Sequence, residues 1–148
     1  LLIAGKPFKN DFSIYNNIIF KNNLSQNCIL HTKFIPTEDV SHYYCAADLI
    51  ALPYKKVYQS GVLMMALSYN KPVLVSDLIP FKEVITHNKT GFFFKSGDVD
   101  SLSTEVNRIL LDRKTLKSVS YNGYNLVKKS YDWKDIGVLL KDVYLTIF

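Results

Sequence analysis

The chain has 148 residues, of which 48% are hydrophobic and 14% are aromatic. This length predicts one domain that can bury a sizeable core, and the apolar content excludes a disordered protein. The formal net charge of +5 leaves two interpretations open, attraction to an anionic ligand or membrane surface and a lysine-rich surface that only faces water.

The two cysteines, Cys28 and Cys45, form no CxxC motif and lie in no His/Cys cluster of the sequence. We therefore expect no metal site and a reduced, cytoplasmic setting. No apolar run approaches the ~20 residues of a membrane-spanning helix. The first apolar run starts at Leu1 without an initiating methionine, so we expect that further residues precede it.

Apolar runs typical of strands alternate with stretches typical of helices as far as Gly97. The strand-like runs are continuous rather than alternating, which predicts strands buried on both faces of a parallel sheet. The predicted fold is α/β and Rossmann-like, with a mostly parallel sheet, helices on both faces and a helical carboxyl-terminal tail. The predicted strands cover residues 1–4, 28–32, 49–52, 73–75 and 91–95. The predicted helices cover residues 12–24, 37–45 (with Thr37 as N-cap), 60–69, 81–86, 113–129 and 132 onward, and a further helix, which Asp98 and Asp100 can cap, carries Leu102, Val106, Ile109 and Leu110.

The helical tail carries two groups of large apolar and aromatic residues. We expect the aromatic group to pack between the terminal helices, and the apolar group of the last helix to leave a strip partly uncovered. The aromatic group is Tyr121, Tyr124, Tyr131 and Trp133, and the apolar group is Ile136, Leu139, Leu140, Val143 and Leu145.

A Ser-Gly turn between two apolar strand-like runs, at Ser60 and Gly61, is the most informative local motif. A helix that begins there exposes free backbone N–H groups at its positive end, an arrangement that suits a phosphate group. In an open α/β sheet, ligands bind outside the carboxyl ends of the strands, where this turn is predicted to lie. The alternative is an ordinary N-cap serine followed by a turn glycine.

Several short blocks occur in one order along the chain. They are residues 1–5 (Leu-Leu-Ile-Ala-Gly), 34–40, 46–54, 59–63 (Gln-Ser-Gly-Val-Leu), 72–73 (Pro-Val), Glu83, 90–91 and 97–98. With these blocks the chain resembles the carboxyl-terminal, donor-binding domain of family-4 type (group 1) glycosyltransferases, which have the two-domain GT-B architecture.

The resemblance implies that residues 1–148 form one nucleotide-sugar-binding domain and that the amino-terminal acceptor domain is absent. It implies a retaining enzyme of polysaccharide biosynthesis that transfers a sugar from a UDP- or GDP-sugar to a glycan or lipid-linked acceptor. No cofactor, metal or nucleic acid is implied. We expect a cytoplasmic location, with the inner face of the membrane as a peripheral partner, and no transferase activity of this chain alone.

The resemblance also assigns donor-binding residues, although no certain catalytic residue. The turn would hold the diphosphate, the segment after the second strand would hold the nucleobase, and Glu83 would reach the donor. Alternatives stay open: Phe34 could pack in a core, Glu83 could be a surface residue, and Lys55 and Lys56 could either screen phosphates or only face water. The expected substrate-binding residues are Gln59, Ser60, Gly61, Val62, Lys33, Phe34, Ile35, Tyr54 and Glu83.

The chain departs from the usual signature of this family, two glutamates eight positions apart. Counted back from Pro72, those positions hold Val57 and Met65. In the family the first glutamate contacts the donor sugar and the second holds the ribose hydroxyls. A degenerate, non-catalytic binding module is therefore the alternative function. A receiver-like signalling domain is disfavoured, because no acidic pair follows the first strand and no aspartate follows the third.

Overall fold

The computed structural model describes residues 1–8 and 11–147, which form two compact units. The first unit ends at Tyr43 and contains the parallel strands β1 (Leu2–Ala4) and β2 (Ile29–His31). Between them lie helix α1 (Ser13–Lys21) and a short 3-10 turn. Helix α2 (Thr37–Ala46) begins in this unit and ends in the second.

Two local predictions for the first unit are wrong. Leu2 and Ile29 are exposed, so β1 and β2 are not covered on both faces by the described residues. Thr37 is the first residue of α2 and not its N-cap, because the helix starts directly after Pro36, whose carbonyl accepts the N–H of Asp39.

The second unit, from Tyr44 onward, is built on three parallel strands in the order β3-β4-β5. Helices follow each strand, and three longer helices form the tail. The elements are β3 (Ile50–Leu52), α3 (Gly61–Ser68), β4 (Val73–Ser76), α4 (Ile79–Lys82), β5 (Phe92–Phe94), α5 (Val99–Leu111), α6 (Arg113–Ser130) and α7 (Trp133–Ile147).

The central strand β4 is buried along its whole length, as its continuous apolar sequence predicts. Val73 and Val75 join the core cluster that contains Leu67 of α3, whereas Leu74 joins the cluster that contains Ile109 of α5. Because alternate residues of a strand point to opposite faces, helices cover both faces of β4. The predicted Rossmann-like α/β fold with a helical tail is confirmed.

Helix α4 starts earlier and is shorter than predicted, since it covers Ile79–Lys82 rather than residues 81–86. Pro80 is tolerated in its first turn, where a backbone N–H has no helical partner in any case. The hydroxyl oxygen of Thr90 accepts the N–H of Thr86 at 2.8 Å, so Thr86 belongs to the turn that follows α4.

The tail helices differ from their prediction at the aromatic residues. Trp133 is 83% exposed and Tyr121 is 59% exposed, so the prediction that they pack between the helices is wrong. The predicted apolar strip on α7 is present, because no residue of this helix is buried and Leu139 and Val143 are more than half exposed. No helix within residues 1–8 and 11–147 is long and apolar enough to cross a bilayer.

Candidate functional site

The carboxyl ends of the three strands of the second unit lie side by side. Leu52 of β3 pairs with Val75 of β4, and Ser76 of β4 pairs with Phe94 of β5. The loops that leave these strands therefore share one edge of the sheet, the edge where open α/β folds bind ligands.

The turn before α3 has the geometry that its sequence predicts. Ser60 is the N-cap in an extended conformation, and its hydroxyl accepts the N–H of Leu63 at 3.1 Å. Within the described residues, the backbone N–H groups of Gly61 and Val62 donate to no hydrogen-bond acceptor. A Cβ atom built on Gly61 would meet nothing within 4 Å, so the turn opens into free space. Two unpaired amides at the positive end of a helix can bind an anion.

The loop from β3 to this turn is fixed at two points. The half-buried Tyr54 lies with its ring centroid 5.9 Å from that of Phe81, and its carbonyl accepts the hydroxyl hydrogen of Ser96 at 3.3 Å. Val57 packs against the core cluster that contains Leu63 and Phe81. Between these points Lys55 and Lys56 are exposed.

The two positions where the family signature has glutamates differ in their surroundings. Val57 is partly buried and belongs to the core packing, whereas Met65 is 42% exposed on α3. The first position therefore makes apolar contacts with the core, and the second is open to solvent.

Glu83 follows α4, the helix that begins just after β4. Its side chain is exposed, and its backbone N–H donates to the carbonyl of Ile79 at 3.0 Å. Tyr54, the turn at residues 59–62 and Glu83 therefore all belong to the second unit, on segments that follow β3 and β4.

The remaining predicted site residues, Lys33, Phe34 and Ile35, follow β2 in the first unit. Phe34 is 71% exposed, so the alternative that it packs in a core is wrong. Lys33 is exposed and Ile35 is half-buried. An exposed phenylalanine beside a lysine at the end of a strand can offer a flat apolar contact and a cation to a ligand.

Asp77, which directly follows β4, makes contacts that the sequence did not predict. One carboxylate oxygen accepts the backbone N–H of Ser96 at 2.9 Å, and the other lies 3.4 Å from the Nζ atom of Lys82. The hydrogen bond from Ser96 is the main cause that lowers the pKa of Asp77 below its usual range. An aspartate immediately after a buried strand is the only local signal that could have indicated this contact.

The histidines take part in separate local contacts. His31 is 2.8 Å from the Tyr43 hydroxyl, and His87 accepts the backbone N–H of Phe93 at 2.9 Å. Among the residues that the structure describes, no three His, Cys, Asp or Glu side chains gather in a way that could hold a metal ion.

With this geometry established, comparison with known proteins gives the family. The sequence profile described as glycosyl transferases group 1 matches residues 1–126. The chain belongs to this family. This family assignment agrees with the resemblance that the ordered blocks of the sequence carry.

Two relatives carry names that bear on the chemistry. The chain is 28% identical over 103 residues to sulfoquinovosyl transferase SQD2 of Arabidopsis thaliana, covering 66% of this chain and 19% of that protein. It is 23% identical over 122 residues to the GDP-mannose-dependent alpha-(1-6)-phosphatidylinositol monomannoside mannosyltransferase of Mycolicibacterium smegmatis, covering 78% of this chain and 32% of that protein. The chain thus spans less than a third of the length of these two relatives.

Two solved structures share the fold of this chain. Sucrose-phosphate synthase from Thermosynechococcus elongatus has a TM-score of 0.86 at 21% identity, covering 100% of this chain and 38% of that one. Anabaena Alr3699/HepE, solved in complex with UDP, has a TM-score of 0.87 at 17% identity, covering 98% of this chain and 40% of that one. At these identities the likeness shows the fold alone.

Proposed function

We propose that this chain is the donor-binding domain of a retaining glycosyltransferase that transfers a sugar from a nucleotide-sugar to a glycan or lipid-linked acceptor. The observation that carries the proposal is the turn at Ser60 and Gly61, which presents unpaired amides at the carboxyl edge of the sheet. Anabaena Alr3699/HepE, which shares the fold, was solved with UDP and with UDP-glucose. Family membership and edge geometry together favour a nucleoside diphosphate as the ligand.

In this proposal the amides of Gly61 and Val62 bind the donor diphosphate, and Gln59 lies on the same turn. Charge develops on the diphosphate when the sugar leaves, and fixed N–H dipoles stabilise that charge without moving. Lys33, Phe34 and Ile35 contact the nucleobase, and Glu83 contacts the donor sugar. The assignment of these four residues is based on the family resemblance and on their exposure or position after the strands.

The name of one relative bears on the class of acceptor. The mycobacterial relative is named for a phosphatidylinositol monomannoside acceptor, which supports a lipid-linked glycan as one class of acceptor. The positive net charge of +5 is compatible with contact at an anionic membrane surface. Retention of configuration is expected from the family and is tested by the anomeric form of the first product. The domain extent of 1–148 and the cytoplasmic location stay predictions.

A titration of the isotope-labelled chain with UDP and GDP tests the donor site. We expect backbone shifts at residues 59–62 and 33–35, with weak affinity because Val57 and Met65 replace carboxylates. Shifts that are confined to α5, α6 and α7 would contradict the proposed site.

A specific observation favours the second candidate function, a non-catalytic binding module. Val57, at the position where the family signature has its first glutamate, packs against the core and offers no carboxylate to a donor sugar. Binding of UDP by the longest natural form of the protein, without sugar transfer to any glycan or glycolipid acceptor, would favour this module. Transfer of the sugar would exclude it.

A further inference from the structure

Three loops at the carboxyl edge of the sheet are joined by two consecutive hydrogen bonds. The carboxylate of Asp77, after β4, accepts the backbone N–H of Ser96, after β5, at 2.9 Å. The hydroxyl of Ser96 then donates to the carbonyl of Tyr54, after β3, at 3.3 Å. The loops after β4, β5 and β3 are thus linked in that order.

The bond between the N–H of Ser96 and the carboxylate of Asp77 is stronger than a hydrogen bond between two neutral groups. A carboxylate that accepts a backbone N–H makes a charge-assisted bond, roughly twice as strong as a neutral one. Ser96 is half-buried and lies in a tight turn, in which Gly97 has a φ of +76° and the N–H of Asp98 donates to the carbonyl of Lys95 at 3.1 Å. The backbone at Ser96 is therefore held by this turn and by the carboxylate of Asp77.

The second bond connects Ser96 to the loop that leads to the turn at residues 59–62. Tyr54 begins the irregular loop that leads to Ser60, and within the described residues this loop is also held by the ring of Tyr54 beside Phe81 and by the packing of Val57 on the core. If the carbonyl of Tyr54 is released, the loop keeps these two apolar contacts but loses its hydrogen bond to Ser96, and the position of the amides of Gly61 and Val62 becomes less well defined.

We propose that Asp77 is a positioning residue of the donor site, which acts through Ser96 and Tyr54 on the turn at residues 59–62. This inference rests on the proposed function for its consequence in binding, although the linkage itself exists without a ligand. The partner of the other carboxylate oxygen, Lys82, is not the source of the effect, because both side chains are 40–50% exposed and an exposed ion pair at 3.4 Å contributes little.

The test measures loop order in the chain without ligand, by backbone 15N order parameters. In Asp77→Ala, we expect the order parameters of residues 55–61 to fall from about 0.85 toward 0.6, the range of a flexible segment. Ser96→Ala should give a similar fall, and the double variant should be no more flexible than either, since both substitutions break one linkage. Asp77→Asn keeps an oxygen acceptor for Ser96 and should restore the order, although it cannot pair with Lys82.

The matched control is Asp48→Ala. Asp48 also pairs with a cation, Arg113, at 3.3 Å, but its carboxylate accepts no backbone N–H within the described residues. This variant should leave residues 55–61 ordered. Equal order parameters in the Asp77→Ala and Asp48→Ala variants would overturn the inference, as would an Asp77→Asn variant that behaves like Asp77→Ala. If Asp77→Ala fails to fold, the comparison of Ser96→Ala with Asp48→Ala decides in the same way.

A second measurement separates this inference from the proposed function. UDP affinity should fall roughly fivefold in Asp77→Ala, because a loosened turn must be ordered when the ligand binds. If the order parameters change as expected and UDP binds to no variant, including the unaltered chain, the proposed function fails and the positioning of the turn stands. If UDP binds to all variants equally while the loop loosens, the turn is not the donor site.

Discussion

The hydroxyl oxygen of Ser60 accepts the backbone N–H of Leu63 at 3.1 Å, and this bond fixes where α3 begins. It satisfies one of the amides that every helix leaves unpaired at its start. The amides of Gly61 and Val62 remain without a hydrogen-bond partner in the described part of the chain. The residue that stabilises the helix thereby also determines which amides face the carboxyl edge of the sheet.

Gly61→Asp places a negative charge beside these amides. Gly61 has no positive φ and a Cβ atom would meet no neighbour, so the substitution fits without strain. We expect the melting temperature to change little and UDP affinity to fall about tenfold, the equivalent of roughly 1.4 kcal/mol. Calorimetric titration and thermal unfolding measure the two quantities.

Gly137→Asp is the matched control for this change. Gly137 lies in α7, and a Cβ atom there also meets nothing within 4 Å. The control should bind UDP as well as the unaltered chain. If Gly61→Asp lowers only stability and leaves binding unchanged, the turn is structural and the ligand binds elsewhere.

Substitutions of Ser60 separate the helix cap from the ligand site. Ser60→Ala removes the acceptor for the N–H of Leu63 and should cost about 1 kcal/mol of unfolding free energy. Ser60→Asp retains a side chain that caps helices well, but it adds a negative charge where the diphosphate would lie. Urea unfolding should therefore rank Ser60→Asp close to the unaltered chain, and UDP titration should rank it last. If the variants rank in the same order by stability and by UDP affinity, Ser60 does not have separate roles in the helix cap and in the ligand site.

The two former glutamate positions should respond differently to a restored carboxylate. Met65→Glu places the carboxylate at a position that is 42% exposed, so stability should hardly change. Val57→Glu would bury a charge against the core and should cost roughly 2 kcal/mol or more. We expect Met65→Glu to tighten UDP binding several-fold if the second position faces the ribose, with Met65→Gln as the uncharged control. Weaker binding by Met65→Glu would show that α3 presents this face to a phosphate.

Acid should weaken the second unit through its helix caps. Asp98 accepts the N–H of Ser101, and Asp112 accepts hydrogen bonds from the side chain and the N–H of Thr115; these bonds hold the pKa of both carboxyl groups below their usual range. A carboxyl group with a lowered folded-state pKa contributes its stability above the ordinary value of about 3.9 and loses it as the pH falls through the lowered pKa.

The double variant Asp98→Asn/Asp112→Asn keeps both caps and removes both titrating groups. Its urea midpoint should fall less between pH 5 and pH 3 than that of the unaltered chain, since only other carboxyl groups, such as Asp77, still titrate. Identical pH dependence in the two proteins would show that the caps do not contribute to acid sensitivity.

The segment from β3 through α3 to β4 could be predicted from the sequence because its signals are local. Continuous apolar runs predicted buried strands, and Ser60 before an apolar helix predicted the cap, which the structure confirms. The start of α4 differs from its prediction because Pro80 lies in the first turn, where a missing backbone N–H breaks no helical hydrogen bond. The exposure of Trp133 was missed because an aromatic residue at a helix start is compatible with burial or exposure, and only the position of α7 decides.

The linkage from Asp77 through Ser96 to Tyr54 could not be predicted from periodicity. Asp77 and Ser96 are 19 residues apart, and Ser96 and Tyr54 are 42 apart. Such contacts depend on the strand order β3-β4-β5, which brings the three loops together. Side-chain chemistry alone gives no indication of which polar residues meet at the edge.

A crystal structure of this chain grown with a saturating concentration of UDP tests the central claim most directly. The account predicts diphosphate oxygens within about 3.2 Å of the backbone nitrogens of Gly61 and Val62, the range of N–H···O hydrogen bonds. UDP that is ordered elsewhere on the chain, with the turn at residues 59–62 unoccupied, would contradict it.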